Sequence, residues 1–254
     1  MKRMPMLAAL PCLAVVVIIA TATAPALAKK NVNPRVIPPQ AKPFGLSYGQ
    51  WGVRYFQWLA AIPLPVSPMN DATGANASVG QSGKVWFLAE NLDWEDAEGG
   101  VEATIERTIT IPTGKAVFVP LRTYWSVMPM NGTTEAELRY WDDFATDHVA
   151  GLAATLDGRR LGNLSAYRAS SPSLCRIWWP PGTEDSRPPF VASEGQPDDP
   201  AWATCEGYWL MLAPLSVGHH ELHWESDRVF TAAEGLFDFK SSLDITYHIA
   251  VTPR

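Results

Sequence analysis

Thr104-Ile-Glu-Arg-Thr-Ile-Thr-Ile111, then Pro112-Thr-Gly-Lys115, then Ala116-Val-Phe-Val119, is the stretch that decides the fold. Ile105, Ile109 and Ile111 fall on one side of an extended chain, and Thr104, Thr108 and Thr110 on the other. Side chains of a strand alternate faces, so this is a half-buried strand. Arg107 interrupts its apolar face. Pro112 to Lys115 has the composition of a turn. Ala116 to Val119 is apolar on both faces, the pattern of a central strand.

The same reading extends outward. Lys84 to Ala89, Gly207 to Ala213, His219 to Trp224 and Leu243 to Val251 read as strands, and Leu164 to Arg168 as another. Asp157-Gly158 between Ala153–Leu156 and Arg159–Leu161 predicts a hairpin with a primed turn. Two helices are expected. Ser47 and Gln50 have capping-box spacing ahead of Tyr48, Trp51, Tyr55, Trp58 and Ile62, and Pro63 ends the run. Thr134 and Glu137 repeat that spacing ahead of Leu138, Trp141, Ala145 and Val149. Asp142, Asp143 and Asp147 read as the solvated face of this second helix. The expected class is mainly β: an antiparallel β-sandwich, immunoglobulin-like or jelly-roll in strand order, with two accessory helices.

The chain has 254 residues, 47% hydrophobic and 18% charged, with a net charge of -6. It is too apolar for a disordered chain. Its acidity argues against sequence-independent nucleic-acid binding and against a polybasic membrane patch. Met1-Lys2-Arg3, the apolar run Leu7 to Ala20 and Ala26-Leu27-Ala28 have the form of a secretory signal peptide over residues 1–28. The protein is therefore expected to be exported, to a periplasmic or extracellular place, with no membrane span left after cleavage. Residues 29–46 read as a Pro-rich leader, and 47–254 as one domain. Cys175 and Cys205 remain once the signal is gone, and an oxidising compartment predicts a disulfide between them.

Tyr48-Gly-Gln-Trp51 with Gln57-Trp58, Gly80-Gln-Ser-Gly-Lys-Val-Trp-Phe-Leu-Ala89, Ile111-Pro-Thr-Gly-Lys115 with Phe118 and Pro120, and Tyr208-Trp-Leu-Met-Leu-Ala-Pro-Leu215 with Gly218-His219-His220 span most of the chain. Together they resemble a family of exported bacterial proteins of unknown function. The family often has cysteines where Ala77 and Ile109 stand here, and the joint absence fits a lost disulfide. The resemblance implies an exported β-rich domain and no particular activity.

Two constellations could carry function. On a strand, His219, Glu221 and His223 share a face, and with His248 from another strand they could hold zinc or copper. Same-face neighbours on one strand sit roughly 7 Å apart, wide for chelating one ion. The second is the Pro-rich stretch between Cys175 and Cys205, which carries Trp178, Trp179 and Trp202. An indole has an apolar face and a polar edge, suited to stacking on a sugar or a partner surface. Three readings follow. The preferred one is a non-catalytic, cofactor-free β-sandwich that binds a glycan or an envelope protein through these tryptophans. The others are a metal-dependent enzyme built on the histidines and a purely structural envelope component. Exposure of Trp178 or Trp179 favours the first, and convergence of histidine nitrogens the second.

Overall fold

The computed structural model describes residues 33, 35–91, 95–179, 200–234 and 238–253. The expected signal peptide and the middle of the stretch between the cysteines lie outside the described residues. Eleven strands, β1 (Val85–Phe87), β2 (Glu95–Ala97), β3 (Gly100–Pro112), β4 (Ala116–Val127), β5 (Val149–Leu156), β6 (Arg159–Arg160), β7 (Arg168–Ser170), β8 (Cys175–Ile177), β9 (Ala201–Leu212), β10 (Gly218–Phe230) and β11 (Phe239–Thr252), form two sheets. The helices are α1 (Tyr48–Ala60) and α2 (Glu135–Asp147).

One sheet runs β1-β4-β9-β7, with β8 also on β9; the other runs β2-β3-β11-β10-β5-β6. They pack as a β-sandwich with two helices, as the alternation in the sequence predicts. Each sheet is mixed, which corrects the expectation of a wholly antiparallel sandwich. β1 pairs with β4 in parallel, and β3 runs parallel to β11 from Gly100↔Lys240 to Pro112↔Thr252. The turn after Pro112 therefore does not close a hairpin. It carries the chain from one sheet to the other, because β4 pairs with β9 rather than with β3.

Local chemistry explains most element boundaries. Both capping boxes form: Ser47 with Gln50 at α1, and Thr134 with Glu137 at α2. Asp157 and Gly158 both have positive φ, 52° and 71°, which a primed hairpin turn requires. Leu164–Tyr167 is a short 3-10 turn rather than a strand, and pairing starts at Arg168. Arg35 to Ile37 are bound along the end of β9, through Ala213 N–H to Arg35 O and Ile37 N–H to Met211 O.

α1 covers one face of the β4–β9 sheet. Tyr55 and Phe56 meet Trp209 edge-on, Phe56 stacks on Trp125, and Phe118 stacks on Trp209. The other face meets the second sheet, where Trp224 stacks on Tyr247. α2 lies beside that interface, against β4 and β9. Leu138 and Ala145 of its expected apolar stripe are buried, but Trp141 is 40% exposed and Asp142 takes the inner position instead. A four-residue step from Leu138 lands on Asp142, one position past Trp141.

Arg107 crosses the apolar face of β3 because it works as a staple. Its buried guanidinium donates to Asp71 O, Ala89 O, Glu90 O and the Tyr247 hydroxyl. Four acceptors from three chain segments thus converge on one side chain, and its charge lies over the Tyr247 ring. No described helix is long and apolar enough to cross a membrane.

Candidate functional site

Cys175 and Cys205 are both free thiols, which corrects the expected disulfide. Register supplies the reason. Cys175 sits across the β8/β9 ladder from Ala203, so Cys205 is its diagonal neighbour, two residues further along β9. Diagonal positions stand about 7–8 Å apart, whereas a disulfide needs Cα atoms within about 6.8 Å. The Cys175 thiol instead reaches Ala203 O at 3.3 Å. Burial pushes its pKa up to about 11, and burial raises Cys205 well above the ordinary thiol range.

From Cys175 onward the side chains alternate. Arg176 and Trp178 point to solvent, while Ile177 and Trp179 are buried. Trp178 is 52% exposed and Trp179 only 4%. Trp179 packs with Ala60, Val127 and Ala201 on the α1 side of the sheet and meets the Trp125 ring at 5.9 Å. It is part of the core and not of a contact surface, a correction to its assignment as a ligand-binding residue. Trp202 is 39% exposed and lies directly across from Arg176, whose guanidinium carbon is 4.4 Å from the indole centroid. Trp178, Arg176 and Trp202 therefore form an open aromatic platform with one fixed positive charge.

The histidines do not converge. His223 Nε2 lies 2.9 Å from Asp244 Oδ1 and 3.6 Å from Glu225 Oε1. His248 lies 2.6 Å from Glu106 and 3.7 Å from Glu221. His219 is exposed at the start of β10. Of the expected set, His219, Glu221 and His248 line one surface pocket without bringing three ligand atoms to a common point, and His223 stands apart from them. Glu221 sits opposite His248, and His223 opposite Thr246, one same-face step along the ladder. A different trio does meet: His223, Glu225 and Asp244 offer three ligand atoms within 4.8 Å of one another. One imidazole and two carboxylates form a donor set that zinc accepts. Glu225 faces Asp244 directly across β10/β11, and His223 sits beside both. The period-two pattern that selects Glu221 and His223 continues to Glu225, so two of these three residues are within reach of the sequence. Asp244 required the register.

Asp142 is the strongest departure from the sequence reading. It is buried, where a solvated position was expected, and Ser126 Oγ donates to it at 2.7 Å. Desolvation pushes its carboxyl up to about 7, against the opposing effect of the hydrogen bond from Ser126. Asp143 and Asp147 are exposed and pair with Arg168, which also binds Glu206.

Compared with known proteins, the chain matches no family model, no curated protein and no solved structure.

Proposed function

We propose that this is an exported, non-catalytic β-sandwich protein that binds a glycan of the cell envelope through Trp178, Arg176 and Trp202. The observation that carries the reading is the exposed pair of indoles around Arg176. Exposed apolar surface gathered in one place and edged by polar groups marks a ligand or partner contact. Trp202 is braced by the guanidinium, so its orientation is set before a ligand arrives. Flat apolar faces beside a hydrogen-bond donor suit a sugar ring, which offers C–H groups on its faces and hydroxyls on its rim. The export element of the proposal rests on the pattern of Met1 to Ala28. The separate pairing of His223 and His248 weighs against the rival enzyme reading built on them.

The test is co-sedimentation with purified, insoluble peptidoglycan, supported by calorimetry with a soluble β-linked N-acetylglucosamine oligomer. The wild-type protein should co-sediment. Trp178→Ala and Trp202→Ala should each weaken binding by about tenfold or more, the usual loss for an aromatic anchor. Equal retention of wild type and double variant, or no retention of the wild type, would sink the proposal.

A further inference from the structure

A groove of about 440 Å³ runs along the outer flank of α1, on the face of the sheet away from the platform. Trp51, Arg54, Trp58 and Ala61 line it from the helix, at helical spacing. The Ser82-Gly-Lys84 turn and Phe87 line the opposite wall. That wall is fixed by the Gln81 side chain, which donates to Ala77 O and Phe87 O and accepts from Phe87 N–H. Gly80 has φ +67°, and a Cβ there would meet Trp58 at 3.0 Å, so the wall approaches the helix as closely as a glycine allows.

The floor is apolar and aromatic. Trp58 stacks on Phe87 at 5.3 Å, and Ile62 is beside them. Both tryptophan N–H groups are already committed, Trp51 to Pro43 O and Trp58 to Val79 O, so the indoles offer faces rather than donors. The rim is cationic. Arg54 and Lys84 are exposed and line the groove, and the Lys115 ammonium is held at the Gly83 carbonyl on the same rim. Among the described residues none of these three cations has a carboxylate partner within ion-pair distance. In a chain of net charge -6, this is a positive rim without carboxylate partners, Arg54 lying over the Trp51 ring and Lys84 over the Phe44 ring, each at 6.0 Å.

We propose that this groove is a second, separate binding site, for a small anionic ligand that has one flat apolar ring system and a carboxylate. The ring lies on the aromatic floor, and the volume is that of a small-molecule pocket rather than a polymer track. The carboxylate meets Arg54 and Lys84 at the rim, where charge-assisted hydrogen bonds provide the selectivity. The site shares no side chain with the platform, so it stands or falls independently of the envelope-glycan reading.

The test uses one ring with three charges: indole-3-acetate, indole-3-acetamide and tryptamine, titrated calorimetrically into the full protein. Indole-3-acetate should bind most tightly, the amide about tenfold more weakly and the amine not measurably, in line with one lost charge-assisted contact. Arg54→Gln with Lys84→Gln should weaken indole-3-acetate by about tenfold or more while leaving the amide and the melting temperature unchanged. Ala61→Phe, at an exposed position of ordinary helical backbone, should plug the groove and abolish binding of both acid and amide. Equal affinity across the three ligands would overturn the proposal. So would unchanged acid binding in the double variant, unchanged binding in the plugged one, or binding of glucuronate without indole-3-acetate.

Discussion

Arg176 and Trp202 face each other across the β8/β9 ladder, the guanidinium lying over the indole at 4.4 Å. The pair explains how an exposed tryptophan is held in place at the end of a sheet. It also separates two kinds of tryptophan within a few residues of chain. Trp178 and Trp202 should be dispensable for stability, and Trp179 should not. Truncating a buried indole costs about 3–5 kcal/mol, whereas exposed positions usually change stability by about 0.5 kcal/mol or less. Denaturant unfolding of Trp178→Ala, Trp179→Ala and Trp202→Ala measures the difference. A loss for Trp178→Ala as large as that for Trp179→Ala would refute the surface role of Trp178.

The thiols give a second prediction. Cys175 and Cys205 should be reduced in the folded protein and slow to react, because only the thiolate is nucleophilic and burial raises both pKa values. Intact mass should be the same before and after reduction. Maleimide labelling should be slow at pH 7 and complete once the chain is unfolded. A mass gain of two hydrogens on reduction would contradict the free-thiol geometry.

Alternation and capping were legible in the sequence. The staggered isoleucines of β3, the apolar run of β4, the Asp157-Gly158 turn and both capping boxes led to the right elements. Pairing was not legible. Nothing local distinguishes β3 beside β4 from β3 parallel to β11, because a turn such as Pro112 to Lys115 serves either path. The same limit misplaced the sites. Trp178 and Trp179 read as a pair because the prolines that follow them hide the period of two that places one outside and the other inside. The disulfide was inferred from compartment and count, and only register shows that Cys175 faces Ala203. The α1 groove is assembled from two segments whose contact no spacing rule encodes.

Arg107 supplies a third prediction. Arg107→Met would keep much of the apolar stem but leave Asp71 O and Glu90 O short of a donor, while Ala89 O keeps the Tyr247 hydroxyl. Each buried group left unsatisfied costs about 1–3 kcal/mol, so the variant should lose at least about 2 kcal/mol. Arg107→Lys should recover only part of this, because an ammonium cannot reproduce the planar fork that spans three segments. Urea unfolding of both variants decides it, and a methionine variant as stable as wild type would show that the staple carries little weight.

Asp142 sets the last expectation, a stability that falls as pH rises through the weakly acidic range. In the unfolded chain its carboxyl loses its proton near pH 4, the ordinary aspartate value. In the folded protein burial holds the proton until about pH 7. Below about pH 4 both states carry it and the residue has no effect on the pH dependence. Between about pH 4 and 7 the folded state binds more protons than the unfolded state, so each step up in pH favours unfolding. Above about 7 both states are ionised and the full cost, up to about 4 kcal/mol for a shift of about three units, is present. Asp142→Asn removes the titration and retains a group that Ser126 can donate to. It should be more stable than wild type at pH 8 and should flatten the decline between pH 4 and 7. Part of the slope should persist, since Glu90 and Glu206 are also raised, each mainly by desolvation. Thermal unfolding of wild type and Asp142→Asn across pH 4 to 8 reads the difference directly. Parallel curves for the two proteins would mean that Asp142 ionises at an ordinary pH and is not buried as a protonated acid.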